Sequence, residues 1–116
     1  MKWLASLALV VGALSACKPV ARPGPDARAG ATLITRYACG SCHAISGIEE
    51  ADGMVGPSLK HFASQKMLAG ALPNTPQNVA RFIRTPRAFV RDSVMPDQDL
   101  TDEQARDVAA YLLTFK

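Results

Sequence analysis

Aromatic residues are scarce in this chain: one Trp, two Tyr and four Phe make up 6% of its 116 residues. The length allows one compact domain and excludes a second core. An apolar content of 48% with so few rings leaves that core wanting something large and apolar to pack around. Histidine is rarer still, with only His43 and His61, and cysteine occurs three times, at 17, 39 and 42. Thirteen Lys and Arg against ten Asp and Glu give a formal charge of +3 with no dense basic stripe, which argues against nucleic-acid binding. No apolar run reaches the roughly 20 residues of a comfortable membrane span. No internal repeat is visible, and no segment requires a strand.

Met1-Lys2-Trp3 followed by an apolar run from Leu4 to Leu14 has the basic start and the apolar length of an export signal. Leu14-Ser15-Ala16-Cys17 then resembles the lipobox of bacterial lipoproteins, in which the cysteine becomes the lipidated first residue. Residues 1–16 therefore read as a lipoprotein signal peptide and Cys17 as the lipidation site. Ordinary cleavage nearby, with Cys17 a free thiol or half of a disulfide, is the alternative. Residues 17–29 contain KPVARPGPDARA, with three prolines and no apolar period, and read as a lipid-anchored tether. Residues 30–116 remain as the folded domain. The expected location is the periplasmic, extracytoplasmic side of a membrane, reached through the lipid anchor.

Within the domain the pattern predicts helices. Ala29 to Tyr37 carries Leu33 and Ile34 on one face and runs directly into the cysteine pair. Residues 41–57 read as loop, residues 59–68 as helical in part, and Pro73, Asn74 and Pro76 as breakers. Asn78 to Thr85 places Val79, Phe82 and Ile83 at helical spacing before Pro86 stops it. The clearest helix is the last, where Thr101 and Gln104 form a capping box and Ala105, Val108, Ala109, Leu112 and Leu113 recur at three and four.

Cys39-Gly40-Ser41-Cys42-His43 is C-x-x-C-H, the signature of covalent haem attachment. Two thiols three positions apart can add to the two vinyl groups of one porphyrin edge, and the following imidazole then reaches the iron. A thioredoxin-like pair would want a βαβ context, and a zinc site would want more ligands than His61 and Cys17 supply. The cofactor expected is one haem c, with Cys39 and Cys42 as thioethers and His43 as proximal iron ligand. Candidates for the distal ligand are Met54, Met67, Met95 and His61. Met95 is favoured because Ser93-Val94-Met95-Pro96 is a loop between helices that Pro96 stiffens. Met67 lies in an apolar pattern where a core role is the default.

These residues resemble the class I monohaem cytochromes c from Gly30 to Lys116. The resemblance implies an all-α cytochrome c fold whose N- and C-terminal helices cross over one covalent haem. It sets Gly30, Leu33 and Ile34 against Tyr111 and Leu112. It also makes Pro57, in Gly56-Pro57-x-Leu59, the carbonyl that accepts the Nδ1 proton of His43. The run from Gly56 through Asn74, Pro86 and Met95-Pro96 is most similar to the cytochrome c domain of caa-type oxidase subunit II. Phe82 stands where that family has tryptophan, and Val90-Arg91-Asp92-Ser93 replaces its Lys-Pro-Gly stretch.

The function expected is that of a one-electron carrier in a bacterial respiratory chain, not an enzyme. It would deliver electrons to or within a haem-copper oxidase system, with an oxidase copper centre or another cytochrome as redox partner. A haem-based gas sensor and an electron-transfer subunit of a periplasmic dehydrogenase are the alternatives. Arg81, Arg84, Arg87 and Arg91 precede Met95, either steering an acidic partner or forming an ordinary solvated face.

Overall fold

The computed structural model describes Gly12 and residues 24–116. The expected signal peptide, Cys17 and most of the tether lie outside the described residues. The first helix, α1 (Ala27–Arg36), starts on Asp26, whose carboxylate accepts the backbone N–H groups of Arg28 and Ala29. It begins inside the segment assigned to the tether. An aspartate directly after proline supplies the N-cap that satisfies donors the first turn leaves open. Its buried face is Gly30, Leu33 and Ile34.

The last helix, α4 (Asp102–Leu112), has the capping box that its sequence predicts. Thr101 Oγ1 accepts from the Gln104 backbone at 3.2 Å, and Gln104 Oε1 accepts from the Thr101 backbone at 2.9 Å. Ala105, Val108, Ala109 and Leu112 are buried, and α1 and α4 form the most extensive helix pair of the fold. One contact of the pair sets Gly30 on the backbone of Asp107 and Val108. It lies one turn before Tyr111 and Leu112, the positions the resemblance set opposite α1.

A second helix packs against α4: α2 (Pro76–Arg84), capped by Thr75 Oγ1 on the Asn78 N–H and burying Val79, Ala80 and Ile83. Pro76 begins this helix instead of breaking the chain before it, because the first helical position loses nothing by lacking an N–H. Pro86, expected only as a stop, also opens a further short helix, α3 (Pro86–Phe89).

The region expected to be partly helical before Leu68 contains only a 3-10 turn, Phe62–Ser64. After it, β1 (Met67–Leu68) pairs antiparallel with β2 (Leu72–Pro73). Three residues, 69–71, join the paired Leu68 and Leu72; Ala69 and Gly70 both have positive φ, 48° and 67°, and the Ala71 N–H closes the turn on the Leu68 carbonyl at 2.8 Å. The fold is the expected helical one, with this single two-residue hairpin added to it. Strand alternation also reverses the expectation for Met67, which is 45% exposed while Leu68 is buried. Among the described residues no helix is long and apolar enough to cross a membrane.

Candidate functional site

At the end of α1 the chain turns through Ala38, whose φ of 54° swings it away from the helix axis. A 3-10 turn, Cys39–Ser41, follows, and the Cys39 carbonyl accepts from both Cys42 (3.2 Å) and His43 (3.0 Å). One carbonyl thus gathers the two cysteines and the histidine of the motif into a single turn. Ser41 Oγ donates to the Ala38 carbonyl at 2.7 Å and closes the base of that turn. Both cysteines are half-buried, and burial pushes the Cys39 thiol above its ordinary value.

The loop after the motif wraps back onto it. The Gly53 N–H donates to the Gly40 carbonyl (3.0 Å) and the Gly56 N–H to the Cys42 carbonyl (2.8 Å). Gly56 lies against the imidazole itself, where a Cβ would sit 2.4 Å from His43 Cε1. His43 Nδ1 is 2.7 Å from the Pro57 carbonyl oxygen, so that nitrogen carries the proton and Nε2 keeps its lone pair for a metal.

Met95 is half-buried against the core. Its backbone N–H donates to Ser93 Oγ at 3.2 Å, and that hydroxyl lies 3.3 Å from the Met95 carbonyl, so one serine brackets the residue. The loop is stapled further on. The Gln98 N–H donates to the Arg84 carbonyl (3.1 Å), Gln98 Nε2 to the Pro96 carbonyl (2.9 Å), and the Tyr37 hydroxyl to the Asp99 carbonyl (2.8 Å). The other distal candidates are placed differently. Met54 is 93% exposed, and His61, also exposed, has Nδ1 2.9 Å from the Lys116 carbonyl.

The donor chemistry fits a macrocycle better than a bare ion. Among the described residues no three His, Cys, Asp or Glu side chains converge into a metal cluster. What the motif offers is two thiols three positions apart on one turn and one oriented imidazole, which suits a porphyrin that brings its own four iron donors.

Comparison with known proteins agrees. The cytochrome c family model matches residues 27–116. The chain belongs to the cytochrome c family. Its cofactor is accordingly one covalent haem c, and its chemistry is electron transfer, not turnover of a substrate. Two relatives are proteins described as cytochrome c oxidase subunit 2. One, from Alkalihalophilus pseudofirmus, is 31% identical over 91 residues, 78% of this chain and 26% of that protein. The other, from Bacillus sp. strain PS3, is 27% identical over 106 residues, 88% of this chain and 29% of that protein. The chain thus spans under a third of the length of these relatives. The crystal structure of the c-type cytochrome SorU from Sinorhizobium meliloti superposes with a TM-score of 0.54 at 25% identity. That match covers 76% of this chain and 87% of SorU.

The four arginines before Met95 separate once their partners are known. Arg84 is ion-paired with Asp102 and donates Nε to the Leu100 carbonyl, while Arg81 lies over the Phe89 ring at 5.2 Å. Arg87 and Arg91 remain exposed. Three of the thirteen basic residues, Lys2, Lys18 and Arg22, precede residue 24, so residues 24–116 carry ten charges of each sign. The excess charge belongs to the N-terminal segment, not to this cytochrome domain.

Proposed function

We propose that this cytochrome is a one-electron carrier of a bacterial respiratory chain, passing electrons to or within a haem-copper oxidase system from the extracytoplasmic side of a membrane. The observation that carries the reading is the His43 Nδ1 contact with the Pro57 carbonyl, which leaves Nε2 as the metal-binding nitrogen. Cys39 and Cys42 are the thioether positions, His43 the proximal ligand and Met95 the distal one. Haem bound there would supply a one-electron couple, with the His43 imidazole and the Met95 thioether as the side chains that would hold its iron. The residues' own work is to hold and to exclude. Pro57 and Gly56 fix the imidazole plane, Ser93 and Pro96 set the reach of Met95, and the helix pair at Gly30 closes the core. None of them has to move a proton.

Likeness to two oxidase subunits supports an oxidase as the physiological partner, with its copper centre or another cytochrome taking the electron. The segment Leu14-Ser15-Ala16-Cys17 supports lipid anchoring at Cys17, with the proline-rich residues as tether. The test is a pair of visible spectra, oxidised and reduced, of protein matured in a host that attaches haem, beside Met95→Ala. The wild type is expected to show the far-red charge-transfer band of a methionine–iron bond and to ignore carbon monoxide when reduced. The variant should lose the band and bind carbon monoxide, and an unchanged spectrum would remove Met95 from the assignment. Mass spectrometry of the same preparation reads the haem adduct and any acyl group on Cys17.

A further inference from the structure

The largest exposed apolar side chains of the described residues include Met54 and Val55, at 93% and 72%, side by side in the loop that wraps the cysteine motif. Two backbone hydrogen bonds, from Gly53 to Gly40 and from Gly56 to Cys42, tie that pair to the turn holding Cys39, Cys42 and His43. No packing accounts for this exposure, and an apolar pair beside a redox centre marks a contact surface. Its surroundings carry charge of one sign. Glu49, Glu50 and Asp52 are all exposed, and none of them is ion-paired among the described residues.

The turn is built to present those acids. Ile48 packs on the core and Ala51 is buried, with the Ala51 N–H on the Ile48 carbonyl at 3.3 Å, so the two residues between them are pushed outward. Glu50 takes a φ of 58°, a left-handed conformation that glycine adopts more readily than any residue with a side chain. An acidic residue held where the backbone favours glycine points to a use for the side chain. The other exposed apolar residue near the site, Val94 at 80%, sits among Arg91, Asp92 and Asp97, whose signs are mixed and select nothing.

We infer that the loop from Ile48 to Gly56 is the docking surface for a redox protein that presents a basic rim around an apolar centre. Met54 and Val55 form the contact, and Glu49, Glu50 and Asp52 the steering rim. The inference rests on the electron-carrier reading and reverses the partner charge that the arginines before Met95 alone would imply. Such an encounter is small and transient, so charge governs its rate more than its lifetime.

Haem-loaded protein and a trivalent cation with an aromatic exterior make the test. With the redox-inert, paramagnetic tris(1,10-phenanthroline)chromium(III), amide signals of residues 48–56 in the reduced protein are expected to broaden first. The combined variant Glu49→Gln, Glu50→Gln, Asp52→Asn should abolish that selectivity, and Met54→Ser with Val55→Ser should weaken it. In stopped flow, the reduced protein gives one electron to the cobalt(III) analogue, which becomes cobalt(II), with no proton transferred. At low salt the charge variant should react roughly tenfold more slowly than wild type. With ferricyanide the same variant should react faster. Broadening centred on Arg87 to Val94, or rates indifferent to the three acids, would overturn the assignment. Failure to carry haem shows in the spectrum beforehand and counts against the electron-carrier reading itself, not against the docking surface.

Discussion

Gly30 lies directly beneath the carbonyl of Asp107: a methyl group on its α-carbon would stand 2.0 Å from that oxygen and 3.0 Å from the Val108 nitrogen. The obstacle is backbone, which cannot rotate aside as a side chain can. Gly30→Ala must therefore lever α1 off α4. Overpacking of this kind costs about 1–3 kcal/mol, sometimes more, against roughly 1 kcal/mol of helix propensity gained. A net loss of 1 kcal/mol lowers the midpoint of thermal unfolding by about 4–8 °C in a domain of this size. Circular dichroism at matched haem loading reads it. A midpoint that stays level or rises would mean that the helices part freely.

Asp107 itself is 1% exposed, and its Oδ1 accepts the Asp26 N–H at 2.8 Å, tying the last helix to the cap of the first. Asp107→Ala leaves that N–H without its acceptor, a loss of about 1–3 kcal/mol. Asp107→Asn keeps an acceptor oxygen and should cost clearly less. Urea unfolding of the two variants checks the order, and equal losses would show that the carboxylate acts by charge alone.

The motif and the capping box at Thr101 were legible because each is local, and the last helix because it is periodic, whereas its pairing with the first was implied only by the resemblance to cytochromes c. Cys39 to His43 is five consecutive residues, and α4 repeats its apolar positions at three and four. What escaped the sequence depends on contacts made at a distance or on backbone signs. The hairpin turns on the positive φ of Ala69, a residue that gives no warning of it. Asp107 reads as an ordinary surface acid until Asp26 is known to lie against it, 81 positions away. Ser93 is in sequence only one residue of the loop before Pro96, yet its hydroxyl brackets Met95. Arg84 differs from Arg87 only through Asp102 and the Leu100 carbonyl.

Removing the Ser93 hydroxyl tests how the Met95 loop is held. Ser93→Ala deletes the bond that the Met95 N–H makes at 3.2 Å, worth about 0.5–1.5 kcal/mol. Global stability should fall by no more than that, while the methionine–iron absorption band should vanish at a lower temperature than in wild type. Ser93→Thr should restore it. If the band and the global transition shift together, the hydroxyl supports the fold and not the ligand loop.

Tyr111 supplies a pH dependence with a definite sign. Its hydroxyl donates to the Ser46 carbonyl at 2.7 Å, its ring meets Phe115 edge-on, and burial raises its phenol above the ordinary value. A folded-state value above the unfolded one means that the folded protein holds the proton more tightly. The resulting stability is fully present below the unfolded pKa of about 10, and it is lost as pH rises through the higher folded value. Tyr111→Phe has no proton to lose. At neutral pH it should be less stable than wild type by the missing hydrogen bond, about 0.5–1.5 kcal/mol. Urea midpoints of the two proteins should then converge as pH climbs from about 8 to about 11. Every other ionisable group is common to the two proteins and drops out of the comparison. A gap that stays constant across this range would mean that the phenol ionises as freely in the fold as in the open chain.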